Sequence, residues 1–166
     1  MAEGAKQLRL ITFRLGPETF VVDIMALRQI IPYSGSTSVP TAPEFVEGVV
    51  IVRNAVIPII DLRQRLYPQV DGSERQPLVL ITHTTAGTIG LKVDEVRRIV
   101  NVPRDSLLPP PPLVRGIRGE LLIALIPHGE EVYMLLDLES VLDEGEKKEL
   151  HSARLSSGGM SGTSER

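Results

Sequence analysis

The stretch Ile59-Ile60-Asp61-Leu62 has a near copy at Leu135-Leu136-Asp137-Leu138. Each copy places an aliphatic run directly before an aspartate, which is typical of a buried strand that ends where a short helical turn begins. Two such signatures in one chain indicate an internal duplication.

Other landmarks recur in the same order around these signatures. They are an opening apolar run (Leu8–Leu15 and Leu78–His83), a Val-Asp pair (Val22-Asp23 and Val93-Asp94) and a Val-X-Gly motif (Val46-Glu47-Gly48 and Val114-Arg115-Gly116). The two sequence repeats therefore cover about residues 8–66 and 78–142.

The aspartate of each Val-Asp pair predicts the start of a short helix, because its side chain can accept hydrogen bonds from the free amides of a first helical turn. We expect these helices at Ile24–Ile31 and Glu95–Val100. The residues expected to be buried are Ile24, Leu27 and Ile31 in the first helix and Val96 with Ile99 or Val100 in the second.

Each repeat continues through a proline-rich link, Pro40–Pro43 or Pro109–Pro112, into a two-stranded hairpin. The predicted hairpin turns are Arg53-Asn54 and His128-Gly129. With about five strand-like runs in each repeat, a flat sheet would leave both edges free, so we expect each repeat to close into its own barrel. The predicted fold class is all-β with short helices, in two packed five-stranded β-barrel subdomains.

The domain is expected to span residues 8–145. Residues 1–7 form an N-terminal tail, and residues 146–166 form a terminal helix remnant followed by a flexible tail. The charged run from Asp143 can extend a terminal helix that carries Leu150.

Composition excludes several classes of function. The 166 residues are 42% apolar, which is enough to form a hydrophobic core. The net charge of -3 means that the chain lacks the overall positive charge that nucleic-acid binding requires. The absence of cysteine excludes disulfides, thiolate metal sites and a cysteine nucleophile. No run approaches the ~18 apolar residues that cross a bilayer. We therefore expect a soluble cytoplasmic protein without membrane insertion.

The sequence offers no conventional catalytic or cofactor site. His83, His128 and His151 lack the spacing of metal ligands, and no phosphate loop or Gly-X-Ser-X-Gly motif is present, so we expect no metal, cofactor or catalytic residue. The alternative is an acid-dyad hydrolase that uses Asp61 and Asp137. It requires both carboxylates within ~3–5 Å of each other in one cleft.

A second alternative is a proline motif. Pro109–Pro112 followed by Arg115 is similar to a polyproline ligand with a trailing cation. The link has a counterpart in the other repeat, which favours a structural connector.

Three features of the sequence resemble the CheW-like family: Phe45-Val46-Glu47-Gly48, Arg53, and the run Val56–Arg63. The family patterns there are Phe-Ile-X-Gly-X-X-X-X-Arg-Gly and Val-Ile-Pro-Val-Ile-Asp-Leu-Arg. The likeness spans roughly residues 8–145 and includes Phe20–Ile30, Gly90–Val96 and Met134–Leu142. It implies two five-stranded SH3-like barrels.

The resemblance also implies a function. Such proteins are non-enzymatic chemotaxis adaptors that couple the tip of a chemoreceptor (a methyl-accepting chemotaxis protein) to the regulatory domain of the histidine kinase CheA in membrane-associated arrays. A scaffold in a different kinase pathway, such as surface motility, is the alternative. The positions that match the receptor-facing groove or its support are Leu27, Gly48, Arg53, Gly90, Val96 and Ile99.

Two positions depart from the family pattern. Gln29 stands where the family commonly has a glutamate, so Arg53 is expected to lose a charged partner. Asn54 stands where the family has glycine after the arginine, a change that a hairpin turn tolerates.

Overall fold

The structure, a computed structural model, describes residues 6–66, 76–110 and 121–152. Over these residues the chain forms two five-stranded sheets with a few short helical segments, which confirms the predicted fold class. The strands are β1 (Gln7–Leu15), β2 (Glu18–Asp23), β3 (Leu27–Pro32), β4 (Gly48–Val52), β5 (Ala55–Asp61), β6 (Leu78–Thr84), β7 (Gly87–Val93), β8 (Glu95–Pro103), β9 (Leu122–His128) and β10 (Glu131–Leu136). Helix α1 is Leu62–Leu66.

The two sheets have the same strand order relative to the repeats. Sheet I is ordered β8-β1-β2-β10-β9 and sheet II is ordered β3-β6-β7-β5-β4. Each contains one parallel pair, β2 with β10 or β7 with β5, and its other neighbours are antiparallel.

The prediction that each repeat closes its own barrel is wrong. The hairpin β1–β2 of the first repeat joins three strands of the second repeat in sheet I, and the hairpin β6–β7 of the second repeat joins three strands of the first in sheet II. The chain changes sheet after Asp23 and again after Asp94. An apolar alternation specifies which face of a strand is buried, but it does not specify which repeat supplies the neighbouring strand.

Each sheet curls until the segment after one edge strand reaches the opposite edge. Thr37, which follows β3, exchanges two backbone hydrogen bonds of 2.9 Å with Val49 in β4. Leu108, which follows β8, exchanges bonds of 2.9 and 2.8 Å with Leu125 in β9. These bridges shorten the unpaired edges that an open five-stranded sheet would expose. We call the curled sheets I and II, with their bridging segments, barrel I and barrel II.

The prediction of a helix after each Val-Asp pair is also wrong. After Asp23 there is only a single 3-10 turn, Ile24–Ala26, whose Met25 amide donates to Asp23 Oδ1 at 2.9 Å. After Asp94 the chain enters β8 directly. Both segments are rich in β-branched residues and pair with neighbouring strands along their length, so strand pairing overrides the helical pattern.

The burial expected of those helices changes accordingly. Only Val100 is buried as expected; Ile24, Leu27, Ile31 and Val96 are half-buried, and Ile99 is 44% exposed. The predicted hairpin turn at Arg53-Asn54 is confirmed, and the second turn lies at Gly129-Glu130, one residue after the predicted pair, with a φ of 64° at Gly129.

Alternating side chains of the central strands serve two apolar layers. In β1, Leu8 and Leu10 belong to a cluster inside barrel I, whereas Ile11, Phe13 and Leu15 belong to a larger cluster between the sheets. We call this larger cluster the inter-sheet core. Strands buried on both faces read as continuous aliphatic runs, which is the pattern seen in both repeats.

Residues 144–152 form the predicted terminal helix, and its Leu150 is only 3% exposed within the inter-sheet core. The N-terminal residues 1–5, the segment 67–75, the segment 111–120 with the second Val-X-Gly motif, and the tail from residue 153 lie outside the described residues.

Side chains near the strand ends connect the two sheets. The Gly16 amide donates to Asp94 Oδ2 at 2.6 Å, and Arg63 Nη1 lies 3.4 Å from Asp94 Oδ1. In the other repeat, Glu139 accepts from the backbone amide of Thr85 at 3.1 Å and from its hydroxyl. Arg63 and Glu139 are equivalent in the two repeats, because each lies two residues after the aspartate of the Ile-Asp-Leu or Leu-Asp-Leu signature.

Gly90→Ala is expected to lower the free energy of unfolding by about 1–3 kcal/mol. A Cβ on Gly90 would lie 2.7 Å from Ile59 Cδ1 and 2.8 Å from Val79 Cγ1, both packed inside barrel II. Urea denaturation measures the change. The control is Gly145→Ala in the terminal helix, where the nearest atom to a Cβ lies at 3.4 Å and alanine favours the helix. Equal stabilities of the two variants would contradict the prediction.

Glu139→Gln is expected to destabilise the protein in a pH-dependent way. Burial raises the pKa of Glu139, but the hydrogen bonds from Thr85 and the charge of Lys147 outweigh it, so the pKa lies below its ordinary value of 4.5. The contribution of the carboxylate is therefore full above that value and is lost as pH falls through the lower pKa of the folded state. Urea midpoints of both proteins between roughly pH 3 and 7 should converge at the acid end; a difference independent of pH would refute this.

Candidate interaction surface

The six residues predicted as partner-binding lie on both sheets. In sheet II, Leu27 begins β3, Gly48 begins β4, Arg53 lies in the β4–β5 turn and Gly90 lies within β7, while in sheet I both Val96 and Ile99 lie in β8. They separate into two glycines that are packed inside the chain, one exposed turn residue, and three apolar residues associated with the inter-sheet core.

The two glycines have structural reasons to lack a Cβ. At Gly48 a Cβ would lie 2.3 Å from Ser36 Oγ and 2.9 Å from the Thr37 carbonyl oxygen, in the segment that closes barrel II. At Gly90 the corresponding space holds barrel-interior side chains. The close approach that each glycine permits is therefore within the chain, and contact of either one with a partner stays a prediction.

Arg53 lies at the tip of an exposed hairpin. Its φ of 51° and the 68° of Asn54 place both residues in the left-handed region, which is unfavourable for arginine. Across the hairpin, Ile51 and Val56 lie opposite each other and are 71% and 63% exposed. We call Ile51, Arg53 and Val56 the hairpin tip.

The structure gives Arg53 no hydrogen bond or ion pair with the residues it describes. The effect of Gln29 on Arg53 stays a prediction. The hairpin tip thus presents two aliphatic side chains and a cation to solvent on a strained turn, which is a composition suited to a partner with apolar and acidic groups.

The three apolar candidates extend the inter-sheet core toward solvent. Leu27 and Val96 are half-buried and pack against this core. Ile99 lies in edge strand β8 opposite Ile11, which is itself part of the core. We call Leu27, Val96 and Ile99 the core margin.

Sequence reasoning missed two exposed apolar residues near these positions. Met25 is 82% exposed on the 3-10 turn where the chain crosses between the sheets, and Ile30 is 38% exposed on β3 opposite Leu80 of the inter-sheet core. The assumption of a helix over residues 24–31 concealed them, because it assigned these side chains to a helical pattern rather than to alternation along a strand.

A half-buried cation beside β4 was also missed. Lys92 Nζ lies 3.0 Å from Glu47 Oε1, 3.4 Å from Asp61 Oδ2 and 4.6 Å from the centroid of the Tyr33 ring, and the Tyr33 hydroxyl donates to Glu47. Burial lowers the pKa of Lys92, but the two carboxylates outweigh it and the pKa lies above its ordinary value. This cluster fastens Glu47 directly before β4 and so positions the hairpin. The available signal was a lysine inside the aliphatic run of β7.

The geometry of Asp61 and Asp137 is that of two separate caps. Asp61 Oδ1 accepts from the Gln64 amide at 3.1 Å, and Asp137 accepts from the Glu139 amide at 3.1 Å and the Ser140 hydroxyl at 2.8 Å. They lie at the ends of strands of different sheets, and each carboxylate is engaged by the turn that follows it. This arrangement does not favour a carboxylate dyad.

The remaining observations concern the proline motif, metal ligands and membrane-spanning helices. Pro109 is exposed and Pro110 half-buried after the Leu108 bridge, while Pro111, Pro112 and Arg115 lie outside the described residues. Across residues 6–66, 76–110 and 121–152, no three histidine or carboxylate side chains are grouped so as to hold a metal. No helix in the same ranges is long and apolar enough to cross a membrane.

Comparison with known proteins gives a consistent result. The chain is 28% identical over 154 residues to the chemotaxis protein CheW of Treponema pallidum (strain Nichols), covering 90% of this chain and 91% of that protein. It is 29% identical over 153 residues to chemotaxis protein CheW of Rhizobium meliloti (strain 1021), covering 89% and 99%.

The crystal structure of the scaffolding protein TtCheW from Thermoanaerobacter tengcongensis has the same fold. It superimposes with a TM-score of 0.76 at 24% identity, over 85% of this chain and 96% of that chain. The family model of the CheW-like domain matches residues 9–146. This chain therefore belongs to the CheW-like family.

Proposed function

We propose that this chain is a cytoplasmic, non-enzymatic adaptor that couples the tips of chemoreceptors to a CheA-type histidine kinase in membrane-associated arrays. Its membership in a family of chemotaxis scaffold proteins supports this function. The observation that carries the proposal is the placement of exposed aliphatic side chains on paired strands, at the core margin and at the hairpin tip, because such fixed apolar surfaces bind other proteins.

The core margin is the site that we assign to the receptor. A receptor tip is a helical hairpin, and an apolar face of a helix gains about 25 cal/mol for each Å² that it removes from water. Ile99 supplies exposed area, and Leu27 and Val96 support it from positions anchored on the inter-sheet core. Arg53 supplies a cation for an acidic group of the receptor.

The regulatory domain of the kinase is the second partner. The resemblance implies that it has the same barrel fold, so the two proteins can pack barrel against barrel. The aliphatic pair Ile51 and Val56 is the most exposed cross-strand pair on barrel II and is the surface that we assign to this contact. A scaffold in another kinase pathway would use the same surfaces with different partners.

Ile99→Asp is expected to weaken binding of a receptor-tip hairpin by about tenfold or more, because the carboxylate must lose water against an apolar helix. Titration calorimetry with the isolated receptor hairpin, and separately with a CheA regulatory domain, measures the affinities. Val132→Asp is the control: Val132 is also a half-exposed aliphatic residue of sheet I, but it lies beside the β9–β10 turn.

In the same titrations, replacing Pro109 and Pro110 by alanine should leave both affinities unchanged. Loss of binding with this variant would favour the proline-ligand alternative. If the unmodified chain binds neither the receptor hairpin nor the kinase domain, the proposed function is wrong although the fold stands.

Arg53→Gly is expected to separate stability from binding. Glycine adopts a positive φ freely, so the free energy of unfolding should stay equal or rise by up to about 1 kcal/mol, while receptor affinity falls with the loss of the cation. The matched control is Asn54→Gly, which relieves strain in the same turn and keeps the arginine. Thermal melts and the receptor titration together test this; a variant that binds as well as the control would remove Arg53 from the site.

A further inference from the structure

The terminal helix is specified by its own sequence. Asp143 Oδ1 accepts from the Glu146 amide at 2.7 Å, and the Asp143 amide donates to Glu146 Oε1 at 3.0 Å. This reciprocal pair is a capping box, which starts a helix at residue 144. A helix that covers only residues 144–152 is too short to be stable alone in water, so its docking onto the sheets maintains it.

The docking depends on few contacts. Leu150 is the buried residue of this helix, and it lies in the inter-sheet core. Glu146 pairs with Arg65 of α1. Arg65 in turn donates to the Val141 carbonyl oxygen at 2.9 Å, and its guanidinium lies 5.6 Å from the centroid of the Phe45 ring. We call Phe45, Arg65 and the adjoining part of the inter-sheet core the helix seat.

The rest of the helix adds little to the docking. Glu44, Phe45, Glu146 and Glu149 line an open groove of about 320 Å³ beside it. The residues of the helix other than Leu150 are exposed or half-buried. The helix is thus held by one buried apolar side chain and by two ion pairs, Glu146–Arg65 and Lys147–Glu139, and elements with so few buried contacts open at the low end of the range of local stabilities.

We propose that the helix seat is a binding site for an amphipathic helix that carries a carboxylate four residues before a leucine. In the free protein, residues 144–152 occupy the seat in cis, with Glu146 on Arg65 and Leu150 in the apolar core. We call residues 144–152 in this docked position the strap. When the strap detaches, the seat accepts the corresponding face of a helix from a partner protein. The proposal is argued from the contacts that residues 144–152 make within this chain, so it does not depend on the surfaces assigned to the receptor and the kinase.

The test uses two truncated chains and one peptide. The first chain ends at Asp143 and has an empty seat, and the second ends at Ser152 and keeps the strap. The probe is a synthetic peptide of residues 143–152 with a blocked C-terminus, titrated while the backbone amide signals of Phe45 and Arg65 are followed by NMR. Saturable binding is expected to the first chain, and binding about tenfold or more weaker is expected to the second, because apparent affinity falls with the fraction of open seats.

Peptide variants test the chemistry of recognition. Leu150→Ala and Glu146→Ala peptides should lose binding to the chain that ends at Asp143, whereas the Lys148→Ala peptide should retain it because Lys148 is exposed. Equal binding of all three peptides, or no binding of the unmodified peptide to a folded truncated chain, would overturn the proposal.

A full-length Leu150→Ala variant covers the case in which the truncated chain does not fold. It is expected to show faster hydrogen exchange in residues 144–152, with unchanged exchange in β1, and to gain binding of the unmodified peptide. Faster exchange without any gain of peptide binding would show that the helix is merely a fixed part of the core, and the proposal would be wrong.

Discussion

The fold depends on the parallel pairing of strands that come from different repeats. In sheet I, Phe20 and Val21 of β2 pair with Met134 and Leu135 of β10. In sheet II, the segment Ile59–Asp61 of β5 pairs with the segment that begins at Gly90 in β7. Each barrel is incomplete without the hairpin that the other repeat contributes, so neither half of the sequence contains a whole barrel.

The same exchange creates the surfaces assigned to partners. Because strands with two apolar faces meet between the sheets, the inter-sheet core continues to the margins of the sheets, where Ile99 remains accessible. The Lys92 cluster fixes Glu47 at the start of β4, which is the opposite end of that strand from the hairpin tip. Exposed aliphatic groups are thus supported by strand pairing or by half-buried ion pairs, and little ordering remains for a partner to impose on binding.

Much of this architecture could be predicted from the sequence. The repeated aspartates, both hairpin turns and the terminal helix follow from local chemistry: Asp61 and Asp137 cap the turns that follow them, and Asn54 and Gly129 accept a positive φ. The resemblance to a known family pointed to the correct fold class. These features depend on residues close together in the chain.

The predictions that failed depend on distant residues. Whether Val93-Asp94 leads to a helix or a strand is decided by the pairing of β8 with β1, which lies far away in sequence. The reason for glycine at position 48 is the approach of Ser36 after barrel closure. The periodicity of the sequence encodes neither fact. For the same reason a helix was expected over residues 24–31, and the exposure of Met25 and Ile30 was not predicted.

The double crossing at Asp23 and Asp94 has a mechanical consequence. Two barrels joined by a single backbone connection could rotate freely about it. Here the strands of barrel II all lie within residues 27–93, which are inserted between β2 and β8 of barrel I, so two backbone crossings and the inter-sheet core join the barrels and restrict rotation of one against the other.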